Sequence, residues 1–324
     1  MKVLVIGAAG MVGRKLVAAL LAAGQVGGQA IASLALADVI RPAVPEAPFP
    51  VTTTVIDLSS PEAATVLIDD RPDLIFHLAA IVSGEAEADF EKGYRINLDG
   101  TRLLLEAIRL AAYRPRLVFT SSIAVFGEPL PPVIGDSQGH TPLTSYGTQK
   151  AIGELLLADY SRRGFVDGIG IRLPTIAVRP GLPNKAASGF FSSIIREPLV
   201  GQEALLPVAE TVRHWFASPR AAIGFLMHAA TLDTDLLDNQ RNLSMPGLSA
   251  TVGEQIAALG RVAGPKATAL IRRQPDEIIA GIVAGWPQAF DASRAKALGF
   301  VGETSFDEII RIHIEDELGG RIGL

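Results

Sequence analysis

Val3-Leu4-Val5-Ile6 runs directly into Gly7-Ala8-Ala9-Gly10-Met11-Val12-Gly13, so an apolar stretch of strand length meets a glycine-rich turn. The amphipathic residues 15–23 that follow predict a helix. In this pattern Gly7 provides the backbone angles of a sharp turn, Gly10 lets the main chain approach a phosphate, and Gly13 lets the helix pack close to the strand. The helix N-terminus adds free N–H groups and partial positive charge. The stretch therefore predicts a site for a dinucleotide pyrophosphate.

The composition predicts a globular chain with a well-filled core. Of its 324 residues, 48% are hydrophobic and 19% are charged, which suits one large or two modest domains. The net charge is −5 and the Lys and Arg residues are scattered, so we expect no nucleic acid partner. No apolar run is long enough to cross a bilayer, so we expect no membrane partner.

The absence of cysteine excludes disulfides, thiolate catalysis and thiolate-bound metals. The apolar residues after Lys2 end at Gly7, too early for a signal peptide. We therefore expect a cytoplasmic protein. His140, His228 and His313 have no partners at metal-ligand spacing, so no metal site is predicted. His77 is expected to pack at a strand end.

Strand-length apolar stretches alternate with helical patterns through the first half of the chain. The predicted strands are 3–6, 34–37, 53–56, 74–78, 117–121 and 168–173. This alternation predicts an α/β fold of the Rossmann type, a doubly wound parallel sheet. Turn residues after Pro174 predict a smaller C-terminal substrate-binding lobe. We expect the nucleotide-binding domain over 1–174, with segments returning near 213–235, and the lobe mainly over 175–324.

Helices are predicted over 97–112 and 148–163, and both carry apolar residues on more than one side. This is typical of a helix that is covered twice. The second cover is either another copy of the chain, in a possible homodimer, or the core of the monomer, and the pattern leaves both open. In the later part of the chain, strands are predicted over 241–244 and 269–271.

Two acidic positions follow predicted strands. Asp38 lies 25 positions beyond Gly13, where a carboxylate accepts hydrogen bonds from the adenosine ribose. A carboxylate there repels a 2′-phosphate, which favours NAD over NADP as the cofactor. Asp57 and Leu58 follow the third strand and are candidates to flank the adenine. The alternative for both acidic residues is a solvated loop position.

Tyr146 and Lys150 are four residues apart at the start of a helix, so both side chains project from one face. An ammonium close to a phenol favours the phenolate and lowers the tyrosine pKa. Tyr146 then exchanges a proton with a substrate hydroxyl while a hydride moves to or from a nicotinamide. Ser122 lies 24 residues upstream, at the strand end where ligands collect in such sheets. The three residues form the candidate catalytic set.

The chain resembles the extended short-chain dehydrogenases/reductases, the superfamily of NAD-dependent epimerases and dehydratases. The motifs are the glycine turn, Asp57-Leu58, HLAA at 77–80, RINLDGT at 95–101, TSSIAVFG at 120–127, YGTQK at 146–150 and IRLP at 171–174. The resemblance implies that Ser122 binds the reacting oxygen, that Tyr146 is the acid/base, and that Lys150 also holds the nicotinamide ribose. It further implies a cofactor site with these residues: Met11, Val12, Asp38, Asp57, Leu58, Leu78, Ala79, Ala80, Asn97 and Pro174.

Several positions depart from the pattern of nucleotide-sugar enzymes. Ala124 stands where many epimerases have a threonine, Phe126 stands where they have a tyrosine, and no Asp-Glu pair for dehydration is near Ser122. Arg213 lies where the superfamily places an arginine on a substrate phosphate or carboxylate, and a guanidinium holds a carboxylate through two parallel hydrogen bonds. A surface ion pair is the alternative for Arg213. His214 beside it is a candidate to line the substrate pocket.

Residues 171–176, 181–191 and 213–215 resemble the D-erythronate dehydrogenase branch of the superfamily, with uronate dehydrogenases as more distant relatives. The resemblance implies a four-carbon sugar acid with its carboxylate on Arg213 and its C2 hydroxyl facing Ser122 and Tyr146. Oxidation then gives 2-keto-D-erythronate and NADH. Candidates for the other substrate hydroxyls are Ser83, Thr175, Asn184 and Ser188.

Two other functions remain open from the sequence. One is an NAD-dependent nucleotide-sugar epimerase, which leaves its cofactor unchanged overall. The other is a non-catalytic NAD-binding sensor, which the complete set of Ser122, Tyr146 and Lys150 disfavours.

Overall fold

The computed structural model describes residues 1–181 and 187–323. The strands of the described residues are β1 (Lys2–Ile6), β2 (Gln25–Val26), β3 (Gln29–Ala30), β4 (Ser33–Asp38), β5 (Val51–Val55), β6 (Leu74–His77), β7 (Arg116–Ser122), β8 (Asp167–Leu173), β9 (Thr175–Ile176), β10 (Ala204–Leu206), β11 (Arg213–Ala217), β12 (Asn242–Ser244), β13 (Leu248–Thr251) and β14 (Ile271–Arg273).

The helices alternate with these strands. They are α1 (Met11–Ala23), α2 (Ala63–Ile68), α3 (Ser83–Ala88), α4 (Phe90–Gly93), α5 (Gly100–Leu110), α6 (Ser145–Arg162), α7 (Gly189–Leu199), α8 (Pro219–Thr231), α9 (Val252–Ala263), α10 (Pro265–Thr268), α11 (Glu277–Ala284), α12 (Ser293–Ala297) and α13 (Phe306–Leu318). A π-helix covers Tyr94–Asp99, and 3-10 helices cover Ile123–Val125 and Thr234–Leu237. Across the described ranges, no helix has the length and apolar content needed to cross a membrane.

A seven-stranded sheet has the order β12-β8-β7-β6-β1-β4-β5. The pairs from β5 through β4, β1 and β6 to β7 are parallel. Numbered along the sheet's own chain order, this is 7-6-5-4-1-2-3, the Rossmann order with one added strand. The order reverses between β1 and β6, and ligands of such sheets bind at the carboxyl ends of the strands near that point. The sheet therefore places the glycine turn after β1 beside the residues after β6.

The chain divides into two compact units. The first unit comprises 1–125, 142–172 and 223–243, and the second comprises 126–141, 173–222 and 244–324. Compared with the expected boundaries, the second unit takes an additional early segment, 126–141, and the segment returning to the first unit is 223–243. The physical reason is that Asn242–Ser244 forms β12 at the edge of the large sheet.

Each unit has its own apolar core. In the first unit, residues of β1, β6, α5 and β7 pack together, among them Leu4, Ile75, Ile108 and Phe119. In the second unit, a core around Phe191, Ile195 and Phe216 packs α7 with α9 and α13. Small sheets β13-β11-β9 and β10-β14 support this unit.

Several sequence-predicted elements differ from the structure in their bounds, and two of these differences are informative. The strand predicted over 269–271 lies instead at Ile271–Arg273, where it pairs with β10. The helix predicted from Asn97 begins as the π-helix, because the N–H of Gly100 bonds to the carbonyl of Arg95, five residues back. Such wide turns often lie at functional sites.

Candidate active site

The glycine turn has the close contacts that its sequence predicts. Gly7 has a φ of +93°, and a Cβ there would lie 2.7 Å from the backbone N of Ala79, after β6. A Cβ on Gly13 would lie 2.1 Å from the carbonyl oxygen of Gly7. The turn is therefore a tight cradle in which larger residues at these two positions would displace the backbone.

The N-terminus of α1 fits a bound anion. Its N-cap is Gly10, no side chain caps it, and no acidic residue occupies its first turn. The first helical residues, Met11 and Val12, thus leave their amides uncapped by any protein side chain, as a pyrophosphate site requires. The residues present fit the dinucleotide expected from the sequence.

Asp38 ends β4 next to this turn. Its Oδ2 accepts a hydrogen bond from the N–H of Ala9 (2.9 Å), and its Oδ1 accepts one from the N–H of Ile40 (3.1 Å). These bonds fix the Asp38 carboxylate at the turn, and its role in discriminating against a 2′-phosphate stays a prediction.

The predicted adenine-flanking residues follow β5. Asp57 Oδ1 accepts hydrogen bonds from the backbone N–H (2.9 Å) and hydroxyl (2.7 Å) of Ser59. Burial alone would raise the pKa of Asp57, but the bonds from Ser59 outweigh it and hold this pKa below its usual value. Leu58 is buried, and its side chain lies where it would contact a Cβ on Gly100.

Asn97 lies in the π-helix and fixes the loop after β6. Its Oδ1 accepts from the N–H of Ile81 (2.9 Å), and its Nδ2 donates to the carbonyl of Ile81 (3.2 Å) and to Oε1 of Gln149 (2.8 Å). The loop that begins with Leu78, Ala79 and Ala80 is therefore tied through Asn97 to α6. Sequence reasoning missed Gln149, although it is adjacent to Lys150.

The structure brings the three candidate catalytic residues together within the first unit. Ser122 ends β7, whereas Tyr146 and Lys150 lie in the first turns of α6. The hydroxyl of Ser122 is near enough to the phenol of Tyr146 to lower its pKa, and it accepts a hydrogen bond from the N–H of Ala124 at 3.1 Å. Lys150 Nζ lies 5.8 Å from the centroid of the Tyr146 ring and donates to the carbonyl oxygen of Thr120 at 2.8 Å.

Burial sets the protonation of this cluster. It raises the pKa of Tyr146 to about 12, and the hydroxyl of Ser122 acts in the opposite direction. The lowered tyrosine pKa predicted from the sequence is therefore wrong, because the effect of burial is the larger one. Burial lowers the pKa of Lys150 to about 8, and the negative charge of Glu154 acts in the opposite direction. Near neutral pH the phenol is thus protonated, and the lysine is mostly charged but close to losing its proton.

Sequence reasoning missed a buried ion pair that joins α6 to β8. Glu154 and Arg172 are almost fully buried, and Arg172 Nη2 lies 2.7 Å from Glu154 Oε2. The hydroxyl of Ser121 donates to Glu154 Oε1 at 2.5 Å. Because Glu154 is four residues after Lys150, the helical spacing of an acid behind the lysine was a signal in the sequence.

His77 at the end of β6 is buried and neutral. Burial, and then the charge of Lys150, lower its pKa to about 3. Its Nε2 lies 2.9 Å from the hydroxyl of Thr101, which itself donates to the carbonyl of Asn97 at 2.8 Å. The expected packing role of His77 at a strand end agrees with these contacts.

In the second unit, Arg213 begins β11 and faces an acid. Its Nη2 lies 3.3 Å from Glu254 Oε2, and its Nη1 donates to Ser249 Oγ at 3.4 Å. The Arg213 side chain is 36% exposed. The ion pair that the sequence left open as an alternative is therefore present, and the role of Arg213 in binding an anion stays a prediction.

His214 orients the hydroxyl of Thr175. Its Nδ1 lies 2.8 Å from the carbonyl oxygen of Pro287, which only accepts, so Nδ1 carries the proton. Burial lowers the pKa of His214 to about 4, so the ring is neutral and Nε2 is an acceptor. Thr175 Oγ1, 2.7 Å away, therefore donates to Nε2 and keeps its lone pairs for another donor.

The remaining predicted residues lie at element boundaries. Ser83 begins α3, Pro174 is buried between β8 and β9, and Ser188 is the N-cap of α7, where Arg179 donates to its hydroxyl at 3.3 Å. Asn184 lies outside the described residues. No group of three or more His, Asp or Glu side chains within the described ranges could hold a metal ion.

Comparisons with known proteins identify the family. The model of the NAD dependent epimerase/dehydratase family matches residues 3–232. The D-erythronate dehydrogenase of Cupriavidus necator is 50% identical over 321 residues, 98% of each protein. That of Haemophilus influenzae is 44% identical over 318 residues, 98% of this chain and all of the relative.

A crystal structure described as the nucleoside-diphosphate-sugar epimerase from Agrobacterium tumefaciens is also similar. It is 64% identical, has a TM-score of 0.97, and is matched over 99% of this chain and 95% of that chain. The predicted family, the Rossmann-type fold and the NAD-dependent enzyme class are thereby confirmed.

Proposed function

The chain belongs to the NAD dependent epimerase/dehydratase family, and we propose that within this family it is a dehydrogenase that oxidises the C2 hydroxyl of D-erythronate to 2-keto-D-erythronate. The grouping of Ser122, Tyr146 and Lys150, with Lys150 Nζ 5.8 Å from the centroid of the Tyr146 ring, supports the reaction type. The full-length similarity to two D-erythronate dehydrogenases supports the substrate.

Side chains of this protein accept and transfer the proton of the substrate hydroxyl. Tyr146 first gives up its own proton, and as the phenolate it takes up the proton of the substrate hydroxyl, while the hydroxyl of Ser122 donates a hydrogen bond to the same oxygen. Lys150, anchored on the carbonyl of Thr120, is the residue that the resemblance assigns to the nicotinamide ribose. When bound, NAD supplies the acceptor for the hydride that leaves the carbinol carbon.

The cofactor residues proposed from the sequence are supported by the cradle. Gly7, Gly10 and Gly13 keep the space for a pyrophosphate, and the carboxylate of Asp38 is fixed beside them. For the substrate, Ser83, Thr175 and Ser188 remain candidates for hydroxyl contacts. Thr175 is an acceptor toward any ligand because its proton points to His214, so it favours a hydroxyl over a carboxylate.

A nucleotide-sugar epimerase is the second candidate. The description of the 64% identical structure from Agrobacterium tumefaciens favours it. Such an enzyme would use the same three residues but would release no NADH.

The two candidates are separated by following NADH. Purified protein is mixed with NAD and D-erythronate, and separately with UDP- and GDP-sugars. We expect NADH to accumulate with D-erythronate and no epimer to form from the nucleotide sugars. L-threonate, D-gluconate and D-glucuronate are tested in the same assay as sugar acids other than D-erythronate. Conversion of a nucleotide sugar without NADH would replace the dehydrogenase proposal.

We also propose a cytoplasmic homodimer. The lack of cysteine favours a reducing compartment. Leu110 of α5 and Leu155 of α6 are 68% and 61% exposed, which suits a helical face covered by a second copy. Light scattering should give twice the chain mass of 34.1 kDa, and Leu155→Glu should reduce it. A monomeric wild type would contradict this assembly.

A further inference from the structure

A buried row of charged side chains connects the candidate catalytic set with β8. Lys150 is 2% exposed, Glu154 is 0% exposed and Arg172 is 5% exposed. All three lie within the first unit. Lys150 and Glu154 are one turn apart on α6, and Arg172 belongs to β8. The reaction described above uses Lys150 and gives Glu154 no part.

Glu154 is held as a carboxylate by hydrogen bonds to both of its oxygens. Arg172 Nε donates to Oε1 at 2.9 Å and to Oε2 at 3.1 Å, and Arg172 Nη2 donates to Oε2 at 2.7 Å. The hydroxyl of Ser121 donates to Oε1 at 2.5 Å. Such bonds favour the ionised carboxyl over the neutral acid. A negative charge is therefore fixed one helical turn after Lys150.

The carboxylate and the ammonium are also fixed relative to one another. Residues four apart on a helix lie on the same face, and α6 is bonded at both positions to consecutive residues of β7. Lys150 Nζ donates to the carbonyl oxygen of Thr120 at 2.8 Å, and Glu154 accepts from Ser121. The next residue of the strand is Ser122. The two bonds thus attach α6 to the strand end that carries the candidate catalytic serine.

Two other titratable side chains of the first unit lie near Lys150, and both are neutral near pH 7. Burial raises the pKa of Tyr146 to about 12. Burial, and then the charge of Lys150, lower the pKa of His77 at the end of β6 to about 3. The ring of Phe119, 4.8 Å from Lys150 Nζ, has no proton to exchange. Burial favours loss of the Lys150 proton, and among the described residues the charge of Glu154 opposes this loss.

The charge of Lys150 determines how many hydrogen bonds it can donate. An ammonium has three N–H donors, one more than a neutral amine. One donor is occupied by the carbonyl of Thr120. The ammonium keeps two donors for the nicotinamide ribose, which the resemblance assigns to Lys150, whereas the amine keeps one. Loss of the proton would therefore weaken the contact with the cofactor.

We propose that Glu154 is a positioning residue that acts through Lys150, because its carboxylate keeps the lysine in the ammonium form that binds the cofactor. Arg172 and Ser121 hold the carboxylate in place for this role. The protonation of Lys150 follows from the contacts within the first unit, whereas its consequence for NAD rests on the proposed function.

Nuclear magnetic resonance of lysine side chains tests the protonation directly. The protein is labelled with 13C-lysine, and the Cε signal of Lys150 is identified by its absence from Lys150→Met. Without NAD, this signal should titrate at about pH 8 in wild type. In Glu154→Gln the midpoint should fall by at least about 0.5 pH unit, because the amide keeps the size of the side chain but not its charge. A smaller fall would overturn the proposal.

Leu157→Ala is the matched control for a loosened helix. Leu157 is buried on α6, three residues after Glu154. Its truncation removes apolar contacts and stability but no charge. The Lys150 midpoint should therefore stay within about 0.3 pH unit of wild type. An equal shift in both variants would show that the packing of α6 sets the protonation, and Glu154 would lose its assigned role.

A double variant decides the question if Glu154→Gln does not fold. Glu154→Gln combined with Arg172→Met removes both charges of the pair, so neither is left buried without a partner. The Lys150 midpoint should again fall by at least about 0.5 pH unit, since the carboxylate is absent. A smaller fall in this variant counts against the positioning role.

NAD binding tests the consequence for the cofactor. Fluorescence titration at pH 7.5 should give a Kd about three- to tenfold higher in Glu154→Gln than in wild type, as expected for one lost hydrogen bond. At pH 6 the amine is protonated again, so the Kd should return to within about twofold of wild type. A weakening that persists at pH 6 would reveal a structural defect and overturn the role in cofactor binding.

The result for Lys150 and the result for the reaction are separable. If wild type does not oxidise D-erythronate but the Lys150 midpoint still depends on Glu154, the positioning role stands and the proposed function fails. If wild type reduces NAD with D-erythronate and the midpoint is the same in Glu154→Gln, the positioning role fails alone.

Discussion

Lys150 in the first unit and Arg179 in the second are both removed from water, yet their surroundings differ in sign. Lys150 donates to the carbonyl of Thr120 and feels the negative charge of Glu154. Arg179 has a hydroxyl, Ser188, and a second cation, Arg196, beside it. Each region contains a carboxylate that is paired with another arginine, Glu154 with Arg172 and Glu197 with Arg196. Only in the first region does that carboxylate also act on the pKa of the cation compared here.

Tyr146→Phe gives the largest effect expected from the first unit. The change removes only the phenol hydroxyl, which is the proposed proton-transfer group, so kcat for NAD reduction should fall by about 10² to 10⁴. NAD affinity, measured by fluorescence titration, should stay within about threefold because the α1 cradle is untouched.

If Tyr146→Phe raised KM but left kcat unchanged, Tyr146 would act in substrate binding and not in proton transfer. The matched control is Tyr94→Phe, at the start of the π-helix, which should keep wild-type kcat.

Glu154→Gln tests how much the buried carboxylate of Glu154 stabilises the first unit. Glu154 is fully buried against Arg172, and removing one partner of a buried pair costs about 3 kcal/mol of unfolding free energy. The control is Glu203→Gln in the second unit, whose ion pair with Arg272 is exposed on both sides, at 61% for Glu203 and 66% for Arg272. It should cost about 1 kcal/mol. Urea unfolding of both variants measures the difference, and equal losses would contradict the comparison.

The parts of the site that sequence predicted are those set by local spacing. The turn of Gly7 and Gly13 is read from one strand, one turn and one helix, and the structure shows the close contacts that this requires. Tyr146 and Lys150 share a helix face because of the helical period. Ser122 joins them because carboxyl ends of parallel strands meet at one edge.

The remaining features depend on contacts between distant segments. The π-helix at Asn97 accompanies bonds to Ile81 and Gln149, which no local pattern contains. Similarly, the sequence favoured Arg213 for its position in a motif, whereas its ion pair with Glu254 joins β11 to α9.

The smallest expected effect is the pH dependence of the unfolding free energy, which should differ between variants of Lys150 and Arg179. Because the pKa of Lys150 falls from 10.5 to about 8 on burial, the folded state holds fewer protons than the unfolded state between these values. The unfolding free energy of wild type should therefore rise with pH above about 8, by about 1 kcal/mol between pH 8 and 9. Lys150→Met should lack this rise when urea midpoints are compared from pH 7.5 to 9.5. A parallel pH dependence in both proteins would show that Lys150 keeps its proton. Arg179→Met should differ from wild type by the same amount at both ends of this range, because the guanidinium does not titrate there.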